Sequence, residues 1–396
     1  RKAKIESRLQ ISKDHNMKQI ITPKQIKTNN RQIIYTYIYQ NKKVTQQDIS
    51  YSLKLSRPTV TSNLVELEEE GLIMKNGQID SETIGRKPVA YSVNPQFRVG
   101  IGVEITRSAV KVMAVDLYGQ KITRNVLDIE FELQDHYFQR TSEFIQSIIH
   151  ALLLSKEQIL GIGFAMQGLT SEDGTTLVYG QILNNSGLSI DMFSRYLDYP
   201  CSFIHDAESA AISELWGSPE LDNAFFLLLS YHVGAAFIAN RSVVTGKHGH
   251  CGTPEHIVYD PNGPRCYCGR QGCLETYLSM TALLGEQDPE AFFDAARNRD
   301  GAEAAKWREY LKILAQMINT LHLVYDVDYV ISGYLAQYIT REDILFIYEE
   351  IEKLCSYTED FDYITVAKMP KHSITMGAAL PYIRQFLENI DVDRAK

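Results

Sequence analysis

The 396-residue chain reads as an α/β protein with a small winged helix-turn-helix unit ahead of a larger body. Three observations predict this. Near residue 99 the apolar pattern changes from helical spacing to short strands alternating with helices. Before that point lie three short amphipathic helices and a hairpin-like stretch. The charge also divides there: residues 1–98 hold 17 basic and 9 acidic side chains, about +8, and the remainder holds 23 and 40, about −17. A basic end on an acidic body suggests contact with nucleic acid at that end, a solvated basic surface being the plain alternative.

Composition narrows the class. With 44% hydrophobic and 22% charged residues the chain has the make-up of a globular protein, unlike a collagen-like or disordered one. No run approaches the ~18 uninterrupted apolar residues of a membrane helix, and no basic-then-apolar signal opens the chain. A cytoplasmic protein without a membrane partner is the expectation. Three segments are expected: 1–16, polar, starting at Arg1 and preceding Met17, as an upstream extension or flexible arm; 17–96 as the winged unit; and 97–396 as the body.

In the winged unit, Ile33, Ile34, Tyr37 and Ile38 recur at helical spacing. Thr45 followed by Asp48 reads as an N-cap opening a second helix that buries Ile49 and Leu53. Ser56 caps a third helix with Pro58 in its first turn, Val60, Leu64 and Leu67 inward, and Gly71 as its stop. That leaves Arg57, Thr59, Thr61, Ser62 and Asn63 facing out near the helix start, a set of donors and acceptors suited to base edges and phosphates. Asn76-Gly77 suits a hairpin turn. Gly85-Arg86-Lys87-Pro88 is a short basic segment, with Arg86 and Lys87 suited to a phosphate backbone or minor groove. The acidic run Glu66, Glu68, Glu69 and Glu70 should point away from DNA.

Six cysteines are present, and Cys266, Cys268 and Cys273 fall within eight residues, ten residues after His256. Close cysteines in a cytoplasmic chain more often mark metal than disulfide. Three thiolates and one imidazole complete a tetrahedral Zn²⁺ with no open position, so the expected site is structural. Cys251 is a rival fourth ligand. Beyond Val99, strands are expected at 99–103, 110–117, 159–166, 201–204 and 224–230, the first two closing a hairpin around Thr106-Arg107-Ser108. Helices are expected at 137–154, 209–216 and 305–325. The mixture indicates sheet-centred lobes.

These residues resemble a known family. The run from His256 through Asp260-Pro261-Asn262-Gly263 and Cys266-Tyr267-Cys268-Gly269 to Gly272-Cys273-Leu274-Glu275 is similar to the zinc signature of the ROK family (repressors, open reading frames and sugar kinases). His205-Asp206-Ala207 with Ala210, Glu214 and Gly217 resembles the family's active-site Asp region. The His-Asp form is similar to its N-acetylglucosamine-type repressor members. Gly161 to Gly168, Met376 to Ala379 and the 85–95 junction match as well. The resemblance covers roughly residues 20–390 and implies a two-lobed, actin-like ATPase-type (ribonuclease H-like) fold binding a sugar or sugar phosphate between its lobes. For repressor members it also implies a homodimer, sometimes a tetramer, on a palindromic operator in double-stranded DNA.

The resemblance further implies that Asp206, His256 and Glu275 contact sugar hydroxyls, with His205 beside them. Carboxylates suit this because each accepts hydrogen bonds from two hydroxyls. One departure stands out: the family's Glu three residues before the zinc His is here Thr253. The effector differs, Glu255 compensates, or sugar binding has weakened. Kinase members need glycines where ATP phosphates approach, since a Cβ blocks the approach. Here the first loop is Glu104-Ile105-Thr106-Arg107-Ser108, the second Val233-Gly234-Ala235-Ala236, and a family Gly-Gly pair is Gly333-Tyr334. The expectation is a sequence-specific regulator, a repressor of carbohydrate-metabolism genes that is no enzyme and binds no ATP. The alternatives are an ATP-dependent sugar kinase with an accessory DNA-binding unit and a regulator titrated by a partner protein.

Overall fold

The computed structural model describes residues 23–78, 88–297, 301–355, 357, 362–368 and 372–390. Arg86 and Lys87 lie outside them. Two compact units divide the chain, Arg1–Phe97 with Phe386–Lys396, and Arg98–Gln385.

The first unit contains α1 (Pro23–Asn41), β1 (Val44–Thr45), α2 (Gln46–Leu53), α3 (Arg57–Glu69), β2 (Ile73–Gln78) and β3 (Val89–Val93). Its strands form one sheet in the order β1-β3-β2. The caps expected from sequence are present. Thr45 and Asp48 form a reciprocal capping box at α2, and Ser56 accepts the Thr59 N–H at α3. Ile34, Ile38, Ile49, Val60, Leu64 and Leu67 are buried together.

Three local expectations are corrected. Leu53 of α2 is only half-buried, while Ile49 is buried. The buried stripe of α1 is Arg31, Ile34, Tyr35 and Ile38, and Ile33 and Tyr37 are only half-buried. The stripe starts one turn early because Arg31 is neutralised there by the carboxylate of Glu70. Asn76-Gly77 lies inside β2 rather than at a hairpin tip: the register shifts between Lys75 and Gln78, and Gln78 still pairs with Val89. Gly77 has φ +71°, which a bulge of this kind accepts from glycine.

In the second unit the chain runs β4 (Val99–Ile105), β5 (Ala109–Val115), β6 (Lys121–Asp128), α4 (Asp135–Ala151), β7 (Ile159–Met166), β8 (Leu169–Thr170), β9 (Leu177–Tyr179), α5 (Asp191–Ser194), β10 (Cys201–His205) and α6 (Asp206–Gly217). It continues through β11 (Ala224–Leu229), β12 (Val233–Ala239), β13 (Ser242–Val244), α7 (Glu275–Leu278), α8 (Met280–Leu284), α9 (Pro289–Ala296) and α10 (Ala302–His322). It closes with β14 (Asp328–Ser332), α11 (Arg341–Leu354), β15 (Ile364–Val366) and α12 (Ser373–Glu388).

The two five-stranded sheets, β10-β7-β4-β5-β6 and β13-β12-β11-β14-β15, share one topology. Each is a three-stranded antiparallel meander whose first strand takes on two further parallel strands. Central strands β4 and β11 are buried on both faces, which is why they read as near-continuous apolar runs, broken in β4 only by Glu104. Separate apolar clusters back the two sheets, one around Phe164, Phe193 and Phe138, the other around Trp307, Tyr310 and Leu314.

Helix α12 lies against the first sheet at backbone contact distance. A Cβ on Gly163 of β7 would stand 1.9 Å from the Ala378 carbonyl oxygen. Gly163→Ala is therefore expected to destabilise the second unit by about 3 kcal/mol, seen as a lower urea midpoint at unchanged slope. An unchanged midpoint would show that the helix has room to move. Among the described residues no helix is long and apolar enough to cross a membrane.

Candidate functional site

In the first unit α2 and α3 meet across a tight turn. Lys54 ends α2 with φ +54°, and Ser56 opens α3. Arg57, Thr61 and Ser62 are exposed on α3, and Thr59 is half-buried with its hydroxyl 2.8 Å from Ser56 Oγ. Among the described residues the Arg57 guanidinium makes no ion pair. The Thr61 hydroxyl donates to Arg57 O at 2.8 Å and lies 2.5 Å from Gln46 Nε2, so α2 braces the exposed face. Asn63 does not face out as expected. It is buried, its amide donating to Thr59 O at 2.8 Å, because its spacing from Val60, Leu64 and Leu67 puts it on the core stripe. The acidic end of α3 is neutralised within the unit: Glu66 pairs with Lys27 at 2.8 Å, Glu68 with Lys75 at 2.8 Å, and Glu70 with Arg31.

In the second unit a cavity of about 1580 Å³ opens where the parallel strands of both sheets end. Ligand crevices in α/β sheets form at such carboxyl ends. His205 ends β10 and Asp206 opens α6, so Asp206 is carried to the cleft at a helix N-terminus, where a carboxylate is favoured. Asp206 Oδ1 accepts the Ala207 N–H at 2.8 Å and lies 3.2 Å from His205 Nε2. Burial raises the Asp206 carboxyl above the ordinary range, and His205 works against that rise.

Thr253, Glu255 and His256 line the same cavity. The Thr253 hydroxyl is spent on His250 O at 3.0 Å. Glu255 is buried, and its Oε2 has no hydrogen-bond partner among the described residues. Burial pushes its carboxyl up to about 8, with the charges of Glu275 and Asp206 adding to the rise. Glu275 departs from expectation. It stands behind the cavity wall, Oε1 2.7 Å from His232 Nδ1 and Oε2 accepting the Val233 N–H at 2.8 Å. His232 is the group that reaches the cavity from that pair, and the sequence reading missed it because a lone His in a hairpin has no motif. Glu104 was met only as a loop departure. It is buried at the end of β4, held by Lys111 at 2.6 Å and by the Thr375 hydroxyl at 2.7 Å. A lone acid in an apolar strand was the signal available.

Beside the cavity, His256, Cys266, Cys268 and Cys273 bring their ligand atoms within 4.8 Å of one another. Cys251 is outside this group. Cys266 Sγ lies 3.8 Å from His256 Nδ1, and Cys268 Sγ 3.7 Å from Cys273 Sγ. His256 Nε2 lies 3.8 Å from Glu255 Oε1, beyond hydrogen-bond distance. The donor set fits one tetrahedral cation. Tyr267, between two of the cysteines, sets its ring 5.2 Å from that of His256 and 5.7 Å from that of His232. The loop that carries this cluster thus forms part of the cleft wall.

Two backbone amides at each hairpin are already bonded within the protein. At the first, Thr106 N donates to Ala109 O, and Ala109 N to Thr106 Oγ1. At the second, Ser230 N donates to His232 O, and Val233 N to the Glu275 carboxylate.

A winged helix-turn-helix joined to a duplicated-sheet domain with a polar cleft and a Cys3His cluster defines a DNA-binding unit linked to an actin-like, sugar-kinase-like domain. The chain belongs to the ROK family, whose model matches residues 112–384, and residues 28–74 match the winged helix-turn-helix DNA-binding model. It is 27% identical over 268 residues to the xylose repressor of Bacillus subtilis, covering 65% of this chain and 68% of that protein. It is 25% identical over 262 residues to the DNA-binding transcriptional dual regulator NagC of Escherichia coli, covering 65% and 64%. The chain thus aligns with about two thirds of the length of these relatives. Among solved structures, a ROK family transcriptional regulator homologous to the Escherichia coli MLC protein superposes with TM-score 0.71 at 21% identity, covering 91% of this chain and 96% of that one. A ROK glucokinase from Streptomyces griseus, solved with glucose and AMPPNP, does so with TM-score 0.61 at 18% identity, covering 72% and 98%.

Proposed function

We propose that the protein is a sequence-specific DNA-binding repressor of carbohydrate-metabolism genes, acting in the cytoplasm without phosphoryl transfer. A sugar or sugar derivative in the cleft sets its affinity for DNA. The observation that carries this reading is an exposed, braced reader helix in the same chain as a polar cleft lined by Asp206, Glu255 and His256. Phosphoryl transfer works by positioning and electrostatics. The two hairpin loops, Thr106-Arg107-Ser108 and Val233-Gly234-Ala235-Ala236, are poor in the glycines that let phosphates approach the backbone.

In this reading Asp206 and Glu255 accept sugar hydroxyls, with His205 and His232 beside them. Glu255 supplies the carboxyl group that Thr253 lacks. His256, Cys266, Cys268 and Cys273 hold a structural Zn²⁺ that fixes this wall. Arg57, Thr61 and Ser62 read DNA, with Thr59 at the helix start and Arg86 and Lys87 supplying backbone contacts. A homodimer presents two such helices to a palindromic operator. A sugar shifts the equilibrium only through unequal affinity for the two dimer states.

Retention of Asp206 in the cleft favours one second reading, an ATP-dependent sugar kinase with an accessory DNA-binding unit. Calorimetric titration with ATP separates the two: no binding at millimolar nucleotide is expected, and micromolar affinity with sugar turnover establishes the kinase. Arg57→Ala is expected to weaken operator binding roughly tenfold or more, measured by anisotropy of labelled duplex. A change below twofold removes α3 as the reader. A dimer making ~6–10 phosphate contacts should lose roughly 10³–10⁵ in affinity between about 50 and 200 mM salt.

A further inference from the structure

The cleft has two chemically different halves, and only the half around Asp206 and Glu255 enters the account above. In the other half stand two tyrosines, Tyr231 in the β11–β12 hairpin and Tyr334 just after β14. Their rings lie 6.0 Å apart at 33°, and they are 52% and 42% exposed. Their backbones are fixed: the Thr281 hydroxyl donates to Tyr231 O at 2.6 Å, Met280 N to Ser230 O at 2.8 Å, and Gln337 Nε2 to Tyr334 O at 3.1 Å. Rigid loops that hold large rings open in a cleft leave apolar faces uncovered, which points to a ligand surface. The cavity, at about 1580 Å³, also exceeds the ~300–1,000 Å³ typical of pockets for drug-sized ligands, so one sugar ring leaves most of it empty.

From this the geometry points to an effector of two or more linked sugar rings. The first ring is held by the carboxylates and the next is laid on Tyr231 and Tyr334. A pyranose has a C–H face that suits an aromatic ring and hydroxyl edges that suit the Gln337 and Thr281 side chains lining the same wall. A nucleoside is the other flat ligand such rings accept, so adenosine is the competing ligand in the test. The inference rests on the proposed sugar-responsive reading and specifies its ligand class.

The test is calorimetric titration of the full chain with glucose, xylose and N-acetylglucosamine, each against its β-1,4-linked dimer, with maltose as the α-linked counterpart and adenosine as the competing flat ligand. For at least one pair the dimer should bind about tenfold tighter than the monomer, the scale of one well-placed aromatic contact. Tyr334→Ala and Tyr231→Ala should each remove that gain while leaving monomer affinity within twofold, and Tyr334→Phe should keep it. Both positions are exposed, so near-native unfolding midpoints are expected. Dimers no tighter than monomers, or a gain that survives both alanine variants, overturn the extended ligand and leave the sugar reading standing. Tyr334-dependent adenosine binding with no dimer gain overturns it in favour of a nucleoside. No saccharide binding of either size overturns both.

Discussion

Cys268→Ser is expected to empty the metal site and lower the unfolding midpoint by on the order of 10 °C, the scale of a few kcal/mol in a unit of this size. Four ligand atoms within 4.8 Å, three of them thiol sulfurs, repel one another once ionised unless a cation sits between them. The loop that carries them turns directly into α7, whose first residue, Glu275, holds His232 and the Val233 amide. Loss of the cation therefore loosens the cleft wall as well as the loop. Zinc analysis of purified protein, a thermal melt and a sugar titration read the three consequences separately. A variant that keeps its zinc, or melts within 2 °C of the parent, contradicts the structural role; 2 °C is roughly the shift from about 1 kcal/mol.

Asp206→Asn is expected to weaken sugar binding about 100-fold or more with little effect on folding. One oxygen of Asp206 is committed to Ala207 N, and the other makes no hydrogen bond among the described residues. An amide there presents a donor where sugar hydroxyls need an acceptor, and a buried mismatch costs more than the bond itself. The sign for stability is opposite to that of an ion-paired surface acid. Burial raises the folded-state carboxyl, so charging it as pH rises above the ordinary carboxylate range opposes folding. Asn removes that opposition, and the unfolding midpoint at neutral pH should hold or rise. DNA affinity without sugar should stay put. A variant that binds sugar normally removes Asp206 from the ligand-accepting role, and one that fails to fold contradicts the expected sign for stability.

Much of this was legible in the chain because local rules and tertiary demands agreed. Caps at Thr45 and Ser56, the apolar runs of β4, β7 and β11, and the cysteine spacing each follow from short-range chemistry. The failures share a cause. Asn63 is polar, so it read as outward, yet helical geometry puts it on the core side, where Thr59 O satisfies its amide. Glu275 was placed at the sugar site by the family resemblance, but which way its carboxylate turns depends on His232, 43 residues earlier. Tyr231 and Tyr334 lie just beyond the ends of β11 and β14, and only the β11–β14 pairing makes them neighbours. Spacing along a chain reports what one element needs, and pairing between elements decides what it meets.

The most direct test of the central claim is selection of bound duplexes from a random pool by the full-length chain, repeated with a saccharide that binds it. The account predicts enrichment of a two-fold-symmetric site, held about 10³-fold or more above random duplex, with retention that changes when the saccharide is added. Recovery of an unenriched pool in both conditions would contradict it.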